Sequence, residues 1–328
     1  MNPRRLFTLA MGVSLSGHAT LLRAQTPGAN LRRVGVLAPS TRAKDEITLK
    51  PYFDEMRALG WIEGQTVVYD RVYADDQPRD LPRLAAELVA RKPELIYAPP
   101  QVAALAARQA TRTIPIVFQT GNDPVGNGLV ASLARPGGNA TGVISYSESL
   151  EPKRLQLLRE ILPRATRVGL LLDPNEPYSK DDRSRVDKAA ATLGLTIIVA
   201  DMSSSGELEA AVTKLTGQGV DAIMAVSVIS SNLRARIVEL ANRKRVPVIL
   251  SRSHWLEAGG LFAYNTSLAD QLRRSAHLVD KILKGAQPAD IPVEQATRFE
   301  LAINLKAAKA LGITIPQSIL LRADEVIQ

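Results

Sequence analysis

The sequence predicts an α/β protein of two similar lobes, each a parallel sheet with helices on both faces. Three observations carry this. Short runs rich in Val, Ile and Leu alternate with amphipathic helical stretches, the pattern of parallel βα units. The pattern restarts halfway, because Thr166–Pro177 ("TRVGLLLDPNEP") repeats the arrangement of Arg32–Pro39 ("RRVGVLAP"): a basic residue, a Val-Gly strand, then a turn. The chain of 328 residues is long enough for two cores.

In order, Arg32–Pro39 reads as a buried strand. A helix follows with Leu49, Phe53, Met56 and Leu59 on one face, stopped by Gly60. Thr66–Ala74 is the second strand and Leu81–Pro93 a helix closed by proline. The third strand is "ELIYAPP", Gln101–Thr111 a helix, and Ile114–Thr120 the fourth strand. Asn122-Asp123-Pro124 is a turn leading into another short helix, and Asn139–Tyr146 is a fifth extended segment. The second run opens with the strand and polar turn of Thr166–Pro177 and continues with strands at Thr196–Ala200, Ala222–Val226, Val246–Leu250 and Leu261–Tyr264, with helices between. The join lies near Ser145–Glu151.

Composition narrows the function classes. Hydrophobic residues at 45% and charged residues at 23% fit a folded globular chain. Residues 1–24 read as a signal peptide: Arg4 and Arg5 form the charged region, Leu6–Leu22 the apolar one, and Ala24 precedes the cut. The segment holds three basic residues and no acidic ones. Its removal leaves 38 basic against 33 acidic residues, a net of +5. The Lys and Arg are scattered over helix faces rather than gathered in a stripe, so no nucleic-acid partner is expected. There is no Cys, hence no disulfide, no thiolate metal site and no lipid-modified N-terminal cysteine. An exported form is expected to be untethered in its compartment.

No catalytic set can be assembled. Of three histidines, His18 lies in the leader, His254 in a loop beside Trp255 and His277 inside a predicted helix, with no metal-motif spacing. There is no P-loop, no G-x-S-x-G and no H-E-x-x-H. "GNGLVAS" (Gly126–Ser132) lacks the third glycine of a dinucleotide fingerprint. Binding therefore outranks catalysis, and no cofactor and no metal are expected. The alternatives kept open are an α/β enzyme and a ligand sensor without transport.

Ligands of open parallel sheets bind beyond the carboxyl ends of the strands. The turns there nominate Ser40, Thr41, Gln101, Thr120, Gly121, Asn122, Asp123, Asn175, Ser227, Ser251, Arg252, Tyr264 and Asn265 as ligand contacts. Helices start just after several of them, which suits a carboxylate or other anion. Ser, Thr, Asn and Asp also cap helices routinely, so each residue reads either way. Arg252 reads either as a partner for a ligand carboxylate or as half of a salt bridge across the lobes. Asp123 reads as an acceptor for a ligand amine.

Several long phrases carry a resemblance: Ala58–Asp76 ("ALGWIEGQTVVYDRVYADD"), Ile114–Val143 ("IPIVFQTGNDPVGNGLVASLARPGGNATGV"), "EAGGLFAYN", and Val279–Pro316. Through these the chain resembles, along almost its whole mature length, ABC-transporter substrate-binding proteins of the tryptophan and tyrosine type. The resemblance implies a type I periplasmic-binding architecture, two Rossmann-like lobes joined by a three-strand hinge that closes on ligand. It divides the chain into one lobe of residues 30–145 plus about 265–290 and another of 146–264 plus about 298–328. It implies a monomer in the periplasm that hands a small molecule to permease and ATPase subunits. Three departures fall in the expected cleft: Pro99-Pro100-Gln101 where the family has glycines and Thr, Ser251–His254, and Asn265 in place of a glycine. They leave the ligand unnamed.

Overall fold

The computed structural model describes residues 31–121, 123–145, 150–174, 179–225 and 228–328, with the side chains of 179–182 and 228–232 also outside the description. The leader, Asn122, Asn175 and Ser227 therefore lie outside the described residues.

The first half of the chain builds strands β1 (Arg32–Ala38), β2 (Val67–Tyr73), β3 (Leu95–Ala98), β4 (Ile116–Thr120) and β5 (Ala140–Ile144). Between them run helices α1 (Arg42–Thr48), α2 (Lys50–Ala58), α3 (Leu81–Ala90) and α4 (Gln101–Ala110). The second half gives α5 (Leu150–Ile161), β6 (Arg167–Leu172), α6 (Ser179–Leu193), β7 (Thr196–Asp201), α7 (Leu208–Gly217), β8 (Ala222–Ala225), α8 (Val228–Asn242), β9 (Val248–Leu250) and β10 (Phe262–Thr266). Then follow α9 (Leu268–Leu283), β11 (Glu294–Gln295), β12 (Phe299–Asn304), α10 (Leu305–Leu311), α11 (Gln317–Leu320) and β13 (Glu325–Ile327).

Two sheets result. One has the order β11-β5-β4-β3-β1-β2, the other β13-β12-β10-β9-β8-β6-β7. Every pair in the first is parallel. In the second, β12 runs antiparallel to β10, against the expectation of an all-parallel sheet. The tail from Phe299 adds two strands at that edge that the βα alternation does not announce.

Both sheets are covered on both faces, which is why their strands read as unbroken apolar runs. In β1, Val34 and Val36 face one core while Leu37 faces the other. In β4, Ile116 and Phe118 point one way and Val117 the other, all three fully buried. Each such side chain contributes roughly 1.5–3 kcal/mol relative to exposure. β8 alternates likewise, with Ala222 and Met224 against Ile223 and Ala225. At the crossing of β4 and β5 only glycine fits: a Cβ on Gly142 would stand 2.2 Å from the Phe118 carbonyl oxygen and 2.6 Å from its ring.

Two local expectations change. The helix after β1 is broken in two at Leu49, because Pro51 starts a new helix where its missing N–H costs nothing. After Asp123-Pro124 the chain forms successive turns rather than a helix. Asp123 accounts for this, since its carboxylate accepts from the backbone N–H groups of Val125 (2.8 Å) and Gly126 (3.0 Å) and tightens a turn.

The chain passes between the sheets three times: after β5, after β10 and after β11. Residues 268–295 thus belong with the first sheet, where α9 packs on α2, β4 and β5. A buried polar chain fixes the second passage. Gln119 Nε2 donates to Gln271 Oε1 at 2.8 Å, and Gln271 Nε2 donates to Thr266 Oγ1 at 2.9 Å. A buried pair lies beside it in the other lobe: Arg154 donates to Glu151 at 3.0 Å and to the Tyr264 carbonyl at 2.9 Å.

Candidate functional site: the cleft between the sheets

The carboxyl ends of the strands of both sheets meet around a cavity of about 350 Å³. From the first sheet come Pro39 and Ser40 after β1, the cis-linked Pro99-Pro100 after β3, Gln119, Thr120 and Gly121 at the end of β4, and Ser145 after β5. From the second come Arg252, His254 and Trp255, on the segment after β9. Asp45 and Leu49 close one side, Leu268 and Leu272 of α9 another. The wall is mostly apolar with a few converging polar groups, the usual make-up of a small-molecule site.

Two charges stand out. Arg252 leans over the Trp255 ring, its guanidinium carbon 5.6 Å from the centroid. Among the described residues no carboxylate pairs with it. Burial first, and then the like charge of Arg154, pull its affinity for a proton below that of an ordinary arginine. It remains cationic, so the cleft wall carries a largely desolvated positive charge with no counter-ion among the described residues. The alternative of a salt bridge across the lobes is not what the described residues form.

Asp45 is the second charge. It sits on α1, 7% exposed. Its Oδ1 accepts from the Ser40 hydroxyl at 2.5 Å, while Oδ2 is shielded from water and makes no hydrogen bond. Burial raises its pKa from the usual carboxylate value; the Ser40 hydrogen bond opposes this and nearby Asp76 adds to it.

His254 packs edge-on against Trp255, ring centroids 5.6 Å apart. The cleft walls, then Arg252 and Arg234, push its pKa down to about 4, although one side of the ring is open. The imidazole is neutral at pH 7 and offers one donor and one acceptor.

The residues nominated from sequence are sorted as follows. Ser40, Thr120, Gly121 and Arg252 line the cavity. Thr41 caps α1, accepting from the Lys44 N–H. Gln101 opens α4, and its Oε1 accepts from Thr120 Oγ1 at 2.9 Å, a step behind the cavity wall. Asp123 is occupied in its turn and is not among the cavity residues. Ser251 precedes Arg252 without reaching the cavity. Tyr264 and Asn265 lie within β10 rather than in the turn after it. The Tyr264 ring stacks on Phe299 at 5.7 Å. Asn265 Oδ1 accepts from the Thr266 N–H at 2.8 Å and borders a side cavity of about 20 Å³ shared with Arg252, His254 and Glu300.

Sequence reasoning passed over Asp45, Ser145 and Trp255; it puts His254 in the expected cleft without nominating it as a ligand contact. One signal was present for Asp45: it precedes Leu49 by four residues, and so falls on the apolar face rather than the solvated one.

Among the described residues no group of three potential metal ligands gathers and no helix is long and apolar enough to cross a membrane. Residues 40–327 match the family model described as ABC transporter substrate binding protein. A tyrosine-binding protein of Clostridioides difficile is 28% identical over 266 residues, covering 80% of this chain and 76% of that one. A Streptococcus structure, an ABC domain in complex with L-Trp, superposes with a TM-score of 0.79 at 28% identity, over 90% of this chain and 100% of that one. A conserved domain protein from Vibrio cholerae gives 0.78 at 28% identity, over 90% and 99%. Matched from Ser40, at the cleft wall after β1, to its last strand, this chain belongs to the ABC transporter substrate-binding protein family.

Proposed function

We propose that the protein is the solute-capturing component of an ABC importer, exported to the periplasm behind a cleaved leader. Its two lobes close on a small carboxylate-bearing molecule, an amino acid or a relative of one, and the closed form docks on the permease and its ATPase. The observation that carries this is Arg252. A largely buried guanidinium with no counter-ion among the described residues costs free energy in the empty protein, and a ligand carboxylate entering the cleft supplies the missing partner. The similar proteins named for tyrosine and for L-Trp are consistent with an amino acid. The apolar wall of Leu49, Trp255, Leu268 and Leu272 has room for a side chain of that size. Nothing in this scheme makes or breaks a covalent bond: three chain passages allow the lobes to rotate, and ligand bound to both walls favours the closed form.

A thermal-shift screen followed by calorimetry, over the twenty amino acids and small mono- and dicarboxylates, tests it. The expected result is one saturable site per chain for at least one carboxylate. Absence of binding across the whole set would overturn the proposal. Cell fractionation that leaves the full-length chain in the cytoplasm would overturn the export step.

A further inference from the structure

We infer that Asp45, held by Ser40, is the receptor for a ligand ammonium group, so that the solute of this cleft is a zwitterion with its cationic end on the first lobe and its carboxylate on Arg252. The inference rests on the cleft being the solute site and adds what that proposal leaves open, the second charge. Asp45 borders the same cavity as Arg252 but comes from the other lobe. It is 7% exposed, Ser40 satisfies only Oδ1, and Oδ2 has neither water nor a hydrogen bond. A buried carboxylate left half-satisfied is costly, and a cation is the partner that relieves it best.

The basic residues nearby do not supply that cation. Lys44, also at the cavity edge, is engaged with Asp76 at 2.5 Å, and Arg42 with Glu46 at 2.9 Å. Binding the ammonium requires the Asp45 carboxyl to turn about the Cβ–Cγ bond, a broad torsion, and bring the buried Oδ2 to the cavity. Ser40 lines the cavity too, and its hydroxyl is a rotor that can keep its hydrogen bond to the turned carboxylate. Asp123, the acidic residue nearer the strand ends in sequence, has both oxygens committed to its own turn. One acid and one base on facing walls give the cleft a polarity that a zwitterion fits and a plain carboxylic acid does not. A ligand touching both also ties the lobes together, which couples its two charges to closure.

The test compares amino acids with the acids that lack only the amine: tyrosine with 3-(4-hydroxyphenyl)propionate, tryptophan with indole-3-propionate, leucine with 4-methylpentanoate, and 4-aminobutyrate with butyrate. Each pair is titrated calorimetrically into the wild-type protein and into Asp45→Asn. Asparagine keeps the acceptor for Ser40 and the size of the side chain, and thermal melting checks that the variant is folded. In the wild type the amine is expected to strengthen binding about 10- to 100-fold within the pair that binds, the size of a charge-assisted hydrogen bond. In Asp45→Asn that gap closes while the acid binds as before. If acid and amino acid bind the wild type equally, or if Asp45→Asn keeps the gap, Asp45 is not the ammonium site, and the cleft remains a carboxylate site. If no member of any pair binds, the reading of the cleft as an amino-acid site falls, and the zwitterion with it.

Discussion

Replacing Arg252 with methionine should strengthen the empty protein and weaken the liganded one. Methionine is unbranched and close in volume, so the apolar stem stays packed against Trp255. In the empty protein the substitution removes a largely buried cation that has no acid beside it among the described residues and that Arg154 repels. The residual cost of such a charge is a few kcal/mol. Against that stands the loss of the cation–π contact over Trp255, about 2 kcal/mol for a largely desolvated pair. The net gain is roughly 1 kcal/mol, or about 2–4 °C in the melting temperature of the empty protein. The ligand loses one charged hydrogen-bonding partner worth about 1.5–3 kcal/mol, so its affinity falls roughly 10- to 150-fold. Calorimetry in the two directions, unfolding without ligand and titration with the best ligand of the screen, reads both numbers from one pair of proteins. A variant that melts lower and binds as tightly as the wild type would show that Arg252 holds the fold together rather than the solute, and would refute the reasoning.

Three further outcomes are expected. Gln271→Leu should cost about 1–3 kcal/mol in denaturant unfolding, because it leaves the buried Gln119 amide without its acceptor and breaks the link to Thr266 at a passage between the lobes. Gly142→Ala should cost more than about 3 kcal/mol or prevent folding, since the obstacle 2.2 Å away is the backbone of β4 and not a flexible side chain; soluble yield and melting temperature report it. The His254 imidazole, titrated by NMR, should stay neutral until about pH 4. Its folded pKa lies below the unfolded value near 6.5, so the stability it contributes is whole above about pH 6.5 and is lost as pH falls toward 4. Replacing His254 with glutamine should flatten that part of the stability–pH curve.

The strands of both sheets were legible because burial on two faces leaves no room for polar residues: "RVGLLL" and "AIMA" are short apolar runs that fit buried strands, and the helical stretches between them settle the alternation. The carboxyl-end rule then placed Ser40, Thr120, Gly121 and Arg252 at the cavity before any geometry was known. Where the structure places a residue differently, the reasons are local. Asp123 advertises itself as a polar group in a cleft turn, yet a turn needs acceptors for its own N–H groups, and it spends its carboxylate there. Tyr264-Asn265 reads as the turn that ends a strand over Leu261–Tyr264, while antiparallel pairing with Phe299–Leu301 carries the strand on to Thr266. That pairing comes from a segment far along the chain, so no local pattern announces it. Asp45 sits on a charged helix where an acid is ordinarily solvated; its spacing of four to Leu49 is a faint signal against that, and the fold of α1 over the cavity shows that it is buried.

The central claim is that the inter-lobe cleft holds a solute by its carboxylate, and a crystal structure with the tightest-binding member of the amino-acid series tests it most directly. The expected result is a solute enclosed between the Ser40–Asp45 wall and the Arg252–Trp255 wall, its carboxylate within hydrogen-bonding distance of the Arg252 guanidinium. A solute seated elsewhere, or one in the cleft whose carboxylate ignores Arg252, would contradict it.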